Sequence, residues 1–189
     1  MSNGPYDPRA VANLIIRYCE EDNIEQTNLG LQKLLYFSHA SYLAKYRMPL
    51  VRGGFEAWEY GPVSRTLYKT LKEYGRQPVK SEIVIRDIFT GENITQKEML
   101  CRSAKVAIHH VVETYAQLSP GKLVELSHVS GGAWDLVWNK GKTSATISNI
   151  ISDDLTIEKF GFLRFPTENR RPLKEMDYEA TPIETTNTS

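Results

Sequence analysis

Apolar residues recur along this chain at helical spacing in most segments and alternate in only one. Val11, Leu14, Ile15 and Tyr18 follow Asp7-Pro8, a pairing in which the acid can cap exposed amides and proline occupies the first helical position. A helix to about Asp22 is predicted. A second begins near Thr27 or Asn28 and runs through "LGLQKLLYFSHASYLAKYR". Leu31, Leu34, Leu35, Tyr36, Phe37, Ala40, Tyr42 and Leu43 cover nearly its whole circumference, so it is expected to be the central helix, surrounded by others. Met48-Pro49 ends it, and Gly53-Gly54 leads into "FEAWEYGPVS", residues 55–64.

Beyond Pro62, the residues Val63, Leu67, Leu71 and Tyr74 form one apolar stripe that stops at Gly75, predicting a helix that Pro62 opens and Gly75 caps. Residues 76–94 change character: "SEIVIRDIF" alternates weakly and "TGEN" reads as a turn, so one or two short β-strands belong here. Thr95 and Glu98 have the spacing of a capping box, which predicts a helix carrying Leu100, Ala104, Ala107, Ile108, Val111, Tyr115 and Leu118 on one face. Ser119-Pro120 starts a short helix to about His128, "AWDLVWNKG" is another, and Ser152 or Asp153 starts the last. The fold class that follows is mainly α: a single compact helical domain over 1–165 and a disordered C-terminal tail over 166–189.

Composition narrows the function classes. Lys plus Arg equals Asp plus Glu at 23 each, so no global field draws the chain to nucleic acid or an anionic membrane. No stretch approaches the roughly 20 apolar residues of a membrane helix, and the first twenty lack the layout of a secretory signal. Cys19 and Cys101 are too few for a disulfide scaffold or a thiolate zinc site. These features place the protein in the cytoplasm.

Candidate chemistry is sparse. Glu56 and Glu59 invite an acid–base reading, but a separation of three on an extended segment puts them on opposite faces. His39, His109, His110 and His128 form no His-Glu-x-x-His or other ligand set, and no phosphate loop or nucleophile elbow is present. No catalytic residue, cofactor or metal is expected. The strongest surface feature is cationic: Arg65, Lys69, Lys72 and Arg76 align on one face of the predicted helix, with Glu73 placed to pair with Lys69. Trp58, Tyr60, Trp134 and Trp138 are either interface anchors or core.

Two stretches together are recognisable. "LGLQKLLYFSHASYLA", residues 29–44, followed by "FEAWEYGPVSRTLYKTLKEYG", residues 55–75, resembles the Panacea domain of SocA-like and GepA-like antitoxins, and "GGAWDLVWNKG", residues 131–141, resembles that domain's tryptophan segment. The resemblance extends over residues 8–163. It implies a mostly helical antitoxin of a bacterium or prophage that neutralises a cognate protein toxin by direct binding. One branch of the family resembles a proteolytic adaptor delivering its toxin to an ATP-dependent protease. Some relatives add a DNA-binding module, for which this chain has no spare length. The expected partner surface is the corner Trp58, Tyr60, Gly61 and Pro62 with the stripe Arg65, Lys69, Lys72 and Arg76. The rivals are a hydrolase using Cys101 or a histidine, and a DNA-binding regulator.

Overall fold

The computed structural model describes residues 4–87, 89–143 and 149–163; the tail expected over 166–189 lies outside them. The first helix, α1 (Pro8–Glu21), begins where the sequence places it: Asp7 accepts the amide of Arg9 and pairs with its guanidinium. The second, α2 (Asn28–Tyr46), is capped by Thr27 and closed by Arg47 in the left-handed conformation. Every residue of α2 from Gly30 to Ala40 is buried. It packs against α1, α4 (Arg102–Tyr115), α5 (Pro120–Ser127) and α7 (Asp153–Glu158), so the helix that is apolar all round is the axis of the domain. Each large aliphatic side chain buried there contributes about 1.5–3 kcal/mol.

After α2 the chain forms the strands β1 (Phe55–Trp58) and β2 (Gly61–Val63), then the short helix α3 (Arg65–Leu71). A second hairpin, β3 (Val84–Arg86) with β4 (Asn93–Thr95), overlaps the segment 76–94 where short strands are expected and runs on to Thr95. Asn13 of α1 holds it: the side-chain amide donates to the carbonyls of Ile83 and Gln96 and accepts the Ile83 amide. The chain closes through α6 (Ala133–Thr143), the two-residue strand β5 (Ile150–Ile151), α7 and a 3-10 turn, Phe160–Leu163. The mainly helical class therefore holds. Beyond the sequence reading is a three-stranded antiparallel sheet, β2-β1-β5.

Three local expectations are corrected. Pro62 does not open α3; it sits in β2 opposite Ala57, and α3 starts only at Arg65. Proline is tolerated there because β2 is an edge strand. Thr95 and Glu98 form no capping box, since α4 begins at Arg102 and Glu98 instead accepts the Asp7 amide and pairs with Arg52 at 2.6 Å. The cationic stripe does not ride on one helix face, because α3 ends at Leu71; Lys72 lies in a 3-10 turn and Arg76 beyond it.

α7 is tied back to the axis through a buried imidazole. His39 Nδ1 accepts the Val51 amide, which leaves Nε2–H to donate to Asp153 at 3.1 Å. That bond, opposed by partial burial, holds the Asp153 carboxyl below its usual range.

Candidate functional site

The corner around residue 61 is built from α2 outward. Trp58 pairs with Gly61 across β1 and β2, leaving Glu59 and Tyr60 as a two-residue turn. Gly61 has φ of +100°, a conformation that favours glycine. Space demands glycine as well: a Cβ here would lie 2.7 Å from Lys33 Nζ and 2.5 Å from Ser127 Oγ. The hairpin therefore lies directly on two polar side chains, from α2 and from α5.

Those contacts are specific. Lys33 is 0% exposed and its Nζ donates to the Pro62 carbonyl at 2.9 Å. Its neighbour Gln32, also buried, accepts the Ser64 amide at 2.9 Å and donates toward Asn28. Two adjacent side chains of α2 thus satisfy backbone groups of β2 and of the residue that caps α3, which would otherwise be buried without partners. Burial pushes the Lys33 amine well below its ordinary pKa.

The outer side of the hairpin is fixed by Glu56. Its carboxylate receives two bonds from Arg65, at 2.7 and 2.9 Å, and one from the Trp58 indole at 2.8 Å. Asn149, beside β5, approaches the same oxygen at 3.5 Å. Partial burial opposes ionisation of Glu56, but Arg65 and Trp58 outweigh it and lower its pKa. Glu56 is therefore an ion-pair clamp joining β1 to α3, and Glu59 sits exposed in the turn.

Behind the corner is an aromatic stack. His128 lies flat on Trp134, centroids 3.5 Å apart at 2°, and Trp134 lies on Trp138 at 5.5 Å and 17°. The Trp134 indole donates to the Trp58 carbonyl at 2.8 Å, so α6 is hydrogen-bonded to β1. Burial, followed by proximity to Lys33, drives the His128 imidazole to a pKa of about 3. Trp134 is core, while Trp138 is partly buried against it.

The residues expected to meet a partner divide accordingly. Trp58 is 4% exposed, and Gly61 and Pro62 are also buried, whereas Tyr60 is half-buried. Arg65, Lys69, Lys72 and Arg76 are exposed. Arg65 is held by Glu56, and Lys72 lies 3.6 Å from Glu73, the acid expected to pair with Lys69.

Neither thiol hydrogen-bonds a histidine among the described residues. Burial, with Asp22 and Glu20 nearby, pushes Cys19 up to about 12. At the start of α4, burial opposes ionisation of Cys101, but bonds from Ser103, Tyr6, the Ala104 amide and Tyr42 outweigh it and bring it down to about 7. No cluster of three His, Cys, Asp or Glu side chains able to hold a metal occurs among the described residues. No helix among them is long and apolar enough to cross a membrane.

Residues 31–135 match the family described as antitoxin SocA-like, Panacea domain. The whole chain is 34% identical over 176 residues to Antitoxin SocA of Caulobacter vibrioides (strain NA1000 / CB15N), covering 93% of this chain and 94% of that protein. The chain belongs to the SocA-like, Panacea-domain antitoxin family. No solved structure matches it. The family segment begins at Leu31 in α2 and ends at Asp135 in α6, so it contains Gln32, Lys33, the hairpin, Ser127, His128 and Trp134. In this Panacea domain the paired motifs around Lys33 and Pro62 are two halves of one contact. Sequence reasoning recognised both motifs and missed the contact; its signal was two polar residues, Gln32 and Lys33, on a helix with no polar face.

Proposed function

We propose that this protein is the antitoxin of a two-gene pair and silences a separately encoded protein toxin by binding it, in the cytoplasm and without catalysing a reaction. The observation that carries this reading is the 34% identity to Antitoxin SocA over 93% of the chain. The buried corner Trp58, Gly61 and Pro62 positions a partner surface, and Tyr60, Arg65, Lys69, Lys72 and Arg76 supply contacts from its exposed side. Rigidity supports the proposal: Arg65 is already oriented by Glu56, so less side-chain entropy is lost when a partner arrives.

The test is rescue. An open reading frame adjacent to this gene, induced alone, is expected to arrest growth, and co-expression of this protein is expected to restore it with a copurifying complex. Absence of any neighbour whose toxicity this gene relieves would remove the reading. Immunoblotting the toxin during rescue separates two modes: a constant level means sequestration, and disappearance that depends on an ATP-dependent protease means delivery for degradation.

A further inference from the structure

A second feature lies away from the corner. The C-terminal half of α2, the helix α4 and the final 3-10 turn enclose an open groove of about 1010 Å³. Phe37, Val111, Tyr115 and Leu118 supply its apolar surface, and Phe37 and Tyr115 pack ring against ring at 5.2 Å. Lys45 and Arg47 stand on its rim, both exposed. No Asp or Glu among the described residues lines it. Lys45 rests over the Tyr46 ring at 5.3 Å, and neither it nor Arg47 has a carboxylate partner among the described residues. The negative end of the α2 dipole accounts for a cation in the last turn, but not for an apolar trough beside two unpaired ones.

We infer that this groove is the docking site for an acidic amphipathic segment of the partner toxin, a helix whose apolar face fills the trough while its carboxylates meet Lys45 and Arg47. The inference rests on the antitoxin reading and assigns it a second contact surface. The groove is at the upper end of the roughly 300–1,000 Å³ typical of small-molecule pockets, room enough for the side chains of a helical segment laid into it. Charge decides the chemistry of the occupant, since an unpaired cationic rim attracts acids and penalises basic segments.

Binding of the purified full-length protein to the toxin identified by rescue tests this, measured by calorimetry at two salt concentrations. Two variants act on the groove from its exposed surface: Lys45→Glu with Arg47→Glu reverses the rim, and Thr114→Trp fills the trough. A weakening of tenfold or more in both, with each variant still folded by circular dichroism and a binding constant that falls with salt in the wild type, is the expected result. Binding within twofold of wild type in both variants overturns the groove assignment and leaves the antitoxin reading standing. Failure of the wild type to bind overturns both. A third full-length variant, Glu175→Lys with Asp177→Lys and Glu179→Lys, addresses the chain's own acidic stretch. Tenfold tighter toxin binding by it would mean that this stretch occupies the groove, and the inference would fall.

Discussion

Lys33 Nζ lies 2.9 Å from the carbonyl oxygen of Pro62, and among the described residues no carboxylate shares that buried site. A lysine enclosed in this way is a hydrogen-bond donor whose pKa burial lowers, and it joins the central helix to the hairpin. Replacing it with methionine leaves the Pro62 carbonyl unsatisfied, a cost of about 1–3 kcal/mol. The pH dependence distinguishes this from simple loss of packing. The native amine titrates well below 10.5 while the unfolded one holds its proton to about that pH, so the unfolded state binds more protons across the window between. Stability gained from this group therefore rises with pH toward 10.5. Urea midpoints from pH 7 to 9.5 should show that component in the wild type and its loss in Lys33→Met; identical slopes would contradict a lowered amine pKa.

A side chain at Gly61 would displace Lys33 and Ser127. Gly61→Ala sets a methyl group against Lys33 and Ser127 in a backbone conformation that alanine resists, with an expected loss of about 2–4 kcal/mol. Gly53→Ala, also at positive φ but with nothing within 4 Å, should cost only the backbone strain of about 1 kcal/mol. Comparing the two melting temperatures isolates the contact with α2 and α5.

Charge substitutions on the stripe will not act alike. Arg65→Glu opposes Glu56 and frees α3 from β1, so it is expected to lower stability by about 1–2 kcal/mol whether or not a partner is bound. Lys69→Glu disturbs no ion pair among the described residues and should leave the melting temperature unchanged. A drop in toxin affinity for Lys69→Glu at constant stability supports partner contact; a drop confined to Arg65→Glu reports the hairpin joint.

His128 makes the protein acid-sensitive. Its native pKa of about 3 lies below the unfolded value of 6.5, so the unfolded state binds the extra proton between them and stability falls as pH falls through that window. His128→Phe keeps a flat ring on Trp134 and removes the titration. Denaturant midpoints at pH 7, 6, 5 and 4, followed by tryptophan fluorescence, should decline less steeply for this variant. Parallel declines would mean that the imidazole is accessible to protons in the native state.

Most of the helices were legible because they are written locally, the starts of α3 and α4 excepted. The caps Asp7, Thr27, Ser119 and Ser152 stand where their helices begin, and the apolar circumference of residues 31–43 announced the central position of α2. The sheet was not, because its information is distributed. Gly61-Pro62 read locally is a good helix start, but pairing with β1 makes it a strand, held from 29 residues earlier by Lys33 on the Pro62 carbonyl. A two-residue strand such as β5 has no period to detect. Glu98 had the spacing of a cap and was claimed instead by Asp7 and Arg52. At the corner, recognition marked the right motifs but could not tell their buried members from their exposed ones, since both kinds of aromatic look alike in a sequence.

The strand β5 sets an order of events during synthesis. β1 has its hairpin mate on one edge and Ile150–Ile151 on the other, and the second mate is translated long after the first. Until then a nascent chain carries a bare strand edge, the kind of surface that recruits foreign strands. A chain released early by a truncated message keeps that edge for good, and it also lacks Asp153 to hold His39. The folded chain differs from such fragments in having both edges of β1 paired, and it is residues 150–153 that complete the pairing.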